Sequence, residues 1–210
     1  MVIKYEKTNP AALAGHTDTL RSMIGIFRRA KIPVEYSQGF NPHMEIYFSP
    51  ALACGIESQC EYLTVKAPFD ENVTEKLNAV AQKGFRFIRA FDVSANLSAL
   101  VTSAKYVVSG NGLGKRCDEL TADEYVISYD EKGQVVTKDV ASKIFSVEKI
   151  DDDSFFVTLA CGNNNLRCDR LAAFLQNKYD PDGDYATTKC EMFVGEDTVD
   201  KYLSKLALNG

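Results

Sequence analysis

Residues 17–31, Thr-Asp-Thr-Leu-Arg-Ser-Met-Ile-Gly-Ile-Phe-Arg-Arg-Ala-Lys, decide the fold of this chain. Leu20, Met23, Ile24, Phe27 and Ala30 recur at the i, i+3, i+4, i+7 spacing of one apolar stripe. That spacing predicts an amphipathic helix, which Pro33 ends because the residue before a proline avoids helical angles. Upstream, Val2–Lys7 alternates apolar and polar residues and reads as a strand, broken by Asn9-Pro10. Downstream, Met44–Ser49 and Glu61–Ala67 read as two strands that pair through the 51–60 connection. Asn72–Gln82 is a second helix, with Val73, Leu77 and Val80 on one face and Gly84 as its stop. Phe85–Val93 completes the set as a fourth strand. The order β-α-β-β-α-β over about 90 residues is the ferredoxin-like arrangement. Its usual product is an antiparallel sheet with both helices on one face, leaving the other face for a ligand or a second sheet.

Residues 94–104 are small and polar and read as a linker. Beyond them Lys105–Ser109 is a strand and Cys117–Glu124 a short helix. Tyr125–Tyr129 and Gln134–Lys138 form a hairpin around Glu131-Lys132-Gly133. Lys143–Ile150 and Ser154–Cys161 are strands around three aspartates, Asp169–Lys178 is a helix with Leu171, Ala172 and Leu175 inward, and Thr187–Val194 is a late strand. The expected fold is therefore α+β: tandem ferredoxin-like units with antiparallel sheets, the second elaborated. The domains run 1–94 and 105–210, with no sequence repeat visible between them.

The 210 residues suffice for one large domain or two small ones, and 45% hydrophobic with 25% charged residues is globular composition. A net charge of −5 argues against an indiscriminate nucleic-acid binder. The charge is uneven: residues 1–94 carry 11 Lys+Arg and 10 Asp+Glu, and residues 95–210 carry 13 and 19. A polyanion site is expected on the first half. No apolar run reaches the roughly 18 residues of a membrane span, and the start of the chain lacks a signal pattern. We expect a cytoplasmic protein without a membrane partner. Six scattered cysteines without a Cys-x-x-Cys pair read as free thiols, so neither a metal nor another cofactor is expected.

Tyr36-Ser37-Gln38-Gly39-Phe40-Asn41-Pro42-His43 reads as a recognition loop. It gathers hydroxyl, amide, aromatic and imidazole groups around one flexible glycine and one rigid proline. Arg21 and Arg28, seven residues apart, lie one above the other on the first helix with Gly25 between their turns. That suits a phosphate or carboxylate approaching the helix closely, or simply a solvated face. Thr17 or Asp18 can cap the helix. His16 is either a hydrogen-bonding residue at the helix start or a general acid or base. Glu61 is read as pairing with an arginine of that helix. The expected ligand-binding set is His16, Asp18, Arg21, Arg28, Tyr36, Ser37, Gln38, Gly39, Phe40, Asn41, His43 and Glu61, with the loop and His16 forming one site. The Gly162–Arg167 turn before a helix is a weaker anion candidate, without the ending of a P-loop.

Gly15-His16-Thr17-Asp18-Thr19-Leu20-Arg21, Arg28-Arg29-Ala30, Tyr36 to His43, Ser49-Pro50, Gly55, Ser58 and Glu61-Tyr62 resemble the radical-SAM-associated family of uncharacterised function. The match is specific over residues 3–66 and looser to about residue 94. Gly15 and Thr17 stand where the family has Ser and Leu, and Cys168 stands where a proline is usual. The resemblance implies a standalone member that acts with a radical SAM protein. This chain has no Cys-x-x-x-Cys-x-x-Cys motif to hold that cluster itself.

The leading expectation is a non-catalytic recognition module that binds structured RNA, transfer or ribosomal, for a separate radical SAM enzyme. Unstacked bases can lie on Phe or Tyr while phosphates meet Arg. The alternatives are a metal-independent RNA endonuclease resembling the CRISPR repeat-RNA processing enzymes, or a protein–protein adaptor.

Overall fold

Apolar residues at 3 and 5 place one face of the first strand inward, and the fold grows around that strand. The protein, described over residues 1–209 by a computed structural model, is a mixed α+β fold with mostly antiparallel strands and a few helices. It divides into two compact units, one of Met1–Val101 with the chain from Phe193 onward, the other of Thr102–Met192.

In the first unit, β1 (Val2–Lys7) and α1 (His16–Arg29) are followed by β2 (Ile46–Phe48) and β3 (Glu57–Val65). Then come α2 (Val73–Asn78), β4 (Phe85–Phe91) and a single turn of helix, α3 (Leu97–Leu100), within the stretch expected as a linker. The strand order is β4-β1-β3, with β2 on the far side of β3, and every one of these pairs is antiparallel. Register sets Ile3 opposite Leu63 and Tyr5 opposite both Glu61 and Phe87. These inward residues meet Met23, Ile26 and Phe27 of α1 and Val73 and Leu77 of α2 in one core. Each such burial stabilises by roughly 1.5–3 kcal/mol. α2 ends at Asn78 with Ala79 as its C-cap, short of the expected Gln82, so Gly84 is not its stop; Gly84, just before β4, has φ +94°, and a Cβ there would stand 2.6 Å from the Thr8 carbonyl oxygen.

The second unit opens with β5 (Ser103–Gly110). The expected helix at 117–124 is instead a 3-10 turn, Leu113–Thr121, which buries Leu113, Cys117 and Leu120. A hairpin of β6 (Val126–Glu131) and β7 (Gln134–Asp139) forms its own two-stranded sheet. It leads to β8 (Ile144–Lys149), β9 (Ser154–Ala160), α4 (Cys168–Tyr179) and β10 (Tyr185–Val194). The strand order is β10-β5-β9-β8. Tyr106 opposite Val157 and Val108 opposite Phe155 carry the sheet side of the core. Leu171, Ala172 and Leu175 of α4 are buried.

The chain then returns to the first unit. Phe193–Val194 turns through Gly195 onto β11 (Asp197–Thr198) and into α5 (Val199–Asn209), a helix not anticipated from the sequence. Asp200 accepts hydrogen bonds from Lys4 Nζ at 2.6 Å and the Tyr62 hydroxyl at 2.9 Å. Both partners lie on the sheet face opposite α1 and α2. That face, expected to stay available, is covered by α5, because Val199 and Leu203 are fully buried there. Among the described residues no helix is long and apolar enough to cross a membrane.

Candidate functional site

Strand parity carries polar groups into the first unit's interior. Ile3, Tyr5 and Lys7 share one face of β1, and Glu61, Leu63 and Val65 share one face of β3. Between Tyr5 and Lys7 the register slips: Tyr5 faces Glu61, but Lys7 faces Ser58. The extra β3 residue is a bulge, a device that re-aims side chains at strand ends. It brings Ser58 round to Glu61, whose Oε1 accepts the Ser58 hydroxyl at 2.7 Å. Lys7 Nζ donates to the Ala14 carbonyl at 2.7 Å, in the turn just before α1.

Tyr5, Lys7, Glu61, Thr19 and Ser49 are all buried, and with His16 they surround a cavity of about 20 Å³. That is room for about one water molecule. Thr19 Oγ1 is fully buried in the wall with no hydrogen-bond partner among the described residues. Burial, and after it the Glu61 carboxylate, push the Tyr5 phenol well above its ordinary range, so Tyr5 remains a protonated donor.

A wider groove of about 360 Å³ adjoins this cavity and shares His16, Phe48, Ser49 and Ala51 with it. Leu20, Ile46 and Tyr47 add apolar and aromatic wall, while Asn96 and Ser98 add polar edge. The His16 ring meets Phe48 edge-on, with centroids 5.2 Å apart. The groove thus offers a flat aromatic flank and ends on buried donors and acceptors. A ring with a polar edge matches that distribution.

The sequence-expected residues fall into three places. His16 and Glu61 come together in the cavity wall. Asp18, Arg21 and Arg28 are exposed on α1, and Arg21 pairs with Asp18 at 3.1 Å. Glu61 accepts the Ser58 hydroxyl of its own strand. Beside Gly25, Arg29 Nη1 lies 3.2 Å from where a Cβ would stand, and Arg29 Nη2 donates to the Val80 carbonyl. Neither Thr17 nor Asp18 caps α1: the N-cap is Gly15, and Asp18 sits in the first turn as a favourable negative charge.

The loop closes on itself. Tyr36 bridges to Met44, and the Ser37 amide donates to the His43 carbonyl at 2.9 Å. Ser37 Oγ lies 2.9 Å from His43 Nδ1. Gln38, Gly39, Phe40 and Asn41 project beyond this clasp, with Phe40 fully exposed and Gly39 at φ +136°. No residue of 36–43 lines the cavity or the groove. Sequence reasoning passed over Tyr5, Lys7, Thr19, Phe48 and Ser49; the shared parity of Ile3, Tyr5 and Lys7 was the available signal. Among the described residues no group of three or more His, Cys, Asp or Glu is placed to hold a metal ion.

The chain belongs to a family of uncharacterised proteins conserved in bacteria, DUF2344, whose pattern covers residues 1–168. That match carries no link to radical SAM enzymes. No curated protein matches the chain.

Proposed function

We propose that the protein is a non-catalytic recognition module that takes an unstacked base of a structured RNA into the groove beside His16. The observation that carries this reading is the buried, unpartnered Thr19 hydroxyl in the small cavity that shares His16, Phe48 and Ser49 with an aromatic-walled groove. A base would lie along Phe48 and Tyr47 and present its edge toward Ser49 and the cavity. Its flanking phosphates would meet Arg21 and Arg28, both exposed on the same helix. The partner enzyme in this reading is a radical SAM protein, supported by the sequence resemblance over residues 3–66. Both units are read as ferredoxin-like. The support is the same strand order in each, β4-β1-β3-β2 and β10-β5-β9-β8, with the β6–β7 hairpin as the elaboration of the second.

The test is anisotropy with labelled transfer RNA at several salt concentrations, for the wild type, His16→Ala and Phe48→Ala. Loss of one base-stacking contact weakens binding by about 1–3 kcal/mol. Absence of RNA binding, or wild-type affinity in both folded variants, overturns the reading.

One observation favours a second reading. His16 shares its cavity with the protonated Tyr5, Lys7 and the Glu61 carboxylate, which is an acid–base set suited to metal-independent RNA cleavage. Cleavage that persists with a chelator and disappears in His16→Ala would favour that endonuclease over a recognition module.

A further inference from the structure

The second unit is the more acidic part of the chain, yet it holds a concentrated positive site. A pocket of about 230 Å³ brings Lys138 of β7, Lys143 of the turn before β8, and Arg167 and Arg170 at the start of α4 around Tyr129 and Glu131 of β6. Four cations face a single carboxylate in that lining.

The two kinds of cation are held differently. Arg170 stacks over the Tyr129 ring, 4.0 Å from its centroid, and donates to Glu131 Oε1 at 3.0 Å. Arg167 is held by Asp169, with Nε to Oδ1 at 3.0 Å and a second contact through Nη2. Each guanidinium is therefore fixed in place and retains further N–H groups. Lys138 and Lys143 have no salt bridge among the described residues, although, after Arg170, the Lys138 charge helps to hold the Glu131 carboxyl below its ordinary range. Arg167 is also the N-cap residue of α4, and no side-chain hydrogen bond caps that helix. Its free N–H groups and dipole add positive potential at the same end of the pocket.

Oriented forks with mobile ammonium groups around them match a compact, multiply charged oxyanion. We propose that this pocket binds a phosphate or diphosphate group. Its source is either a phosphorylated small molecule or the phosphate of an RNA strand. The Gly162–Arg167 turn, weak as a motif by itself, forms part of the wall through Asn165 and Arg167. The inference is independent of the base-binding groove, because the two sites lie in different units.

The experiment is calorimetric titration of the full chain with pyrophosphate, for the wild type and the Lys138→Ala/Lys143→Ala double variant. Both lysines are free of ion pairs, so the variant is expected to fold with an unchanged melting temperature. Each lysine removed is expected to weaken pyrophosphate binding about tenfold, the size of one lost charge-assisted contact. Equal affinity in the two proteins, or no binding by the wild type, overturns the proposal. If the double variant unfolds, Lys143→Gln alone replaces it, with the same expected direction and the same overturning result. A second arm adds pyrophosphate to a complex with 5′-phosphorylated RNA. Displacement that the double variant loses assigns the phosphate to RNA. Pyrophosphate binding without displacement assigns it to a small molecule. His16→Ala serves as the control: it impairs the groove and leaves pyrophosphate binding unchanged.

Discussion

The cavity of the first unit and the pocket of the second solve opposite problems with similar residues. In the cavity, Lys7 and Glu61 are buried to within a few per cent of exposure. Lys7 is held by the Ala14 carbonyl in the turn before α1, and Glu61 by Ser58 of its own strand. In the pocket, Lys138 is exposed and Lys143 half-buried, and water screens both. A buried charge that loses its surroundings is expensive, whereas an exposed one is nearly neutral for folding and available for binding. The first site should therefore be read in stability measurements and the second in titrations with anions.

The sharpest way to break this contrast is Glu61→Ala. It removes the carboxylate from a cavity that also contains the buried Lys7 ammonium, and the expected loss is about 3–5 kcal/mol. Urea denaturation monitored by circular dichroism measures it. A loss below about 1 kcal/mol would mean that the cavity is wet and screened like the pocket.

Alkaline pH sharpens the contrast through the tyrosines. Tyr5 is raised well above its ordinary value of 10.0 by burial and by Glu61, and burial pushes Tyr125 of the second unit up to about 12. In both cases the neutral phenol is favoured by the fold. The stability they contribute is fully present below pH 10 and is lost as pH rises through each folded-state value. Absorbance titration at 295 nm is expected to show Tyr125 ionising near its raised value and Tyr5 resisting ionisation until the protein unfolds.

Thr19→Val has a smaller expected effect. Replacing the unpartnered buried hydroxyl by a methyl group of similar shape should stabilise the protein by no more than about 1 kcal/mol. A clear destabilisation by thermal melting would reveal a hydrogen-bonded occupant of the cavity in solution. The smallest effects belong to exposed side chains. Lys138→Ala, Lys143→Ala and Phe40→Ala should each shift stability by less than about 0.5 kcal/mol. For Phe40 a loss of 3–5 kcal/mol would have marked a core residue, which its full exposure contradicts.

The elements of residues 1–94 were legible because their periodicity is strong. The stripe of Leu20, Met23 and Phe27 and the alternation in β1 leave little freedom of assignment. The C-terminal helix escaped notice although Val199 and Leu203 stand four apart and both are buried. Its role depends on Asp200 meeting Lys4 and Tyr62, 196 and 138 residues away in the chain, and no local pattern encodes that pairing. The candidate site was legible only in part. His16 and Glu61 drew attention as chemically able residues beside the first helix and at the head of a strand. Lys7 did not, because a lysine in an alternating strand reads as a solvent-facing residue, and its burial needs Ser58 and Glu61 across a bulge. The Tyr36–His43 loop was conspicuous in composition, but its Ser37–His43 clasp closes it on itself and none of its residues lines the groove. The basic pocket was hidden by the acidity of its half of the chain, since Lys138, Lys143 and the α4 arginines converge only in three dimensions.

The return of Asp200 and α5 to the first unit also has a temporal side. On the ribosome, β1 and β3 are made before the second unit, and the helix that covers Lys4 and Tyr62 is made after it. The second unit lies between them in the chain, and at about 5–20 residues per second its synthesis takes roughly 5–20 s. During that interval the first sheet keeps one face uncovered, and the second unit receives its last strand, β10, just before the covering helix is made. The first unit, begun before the second, is thus completed only after it.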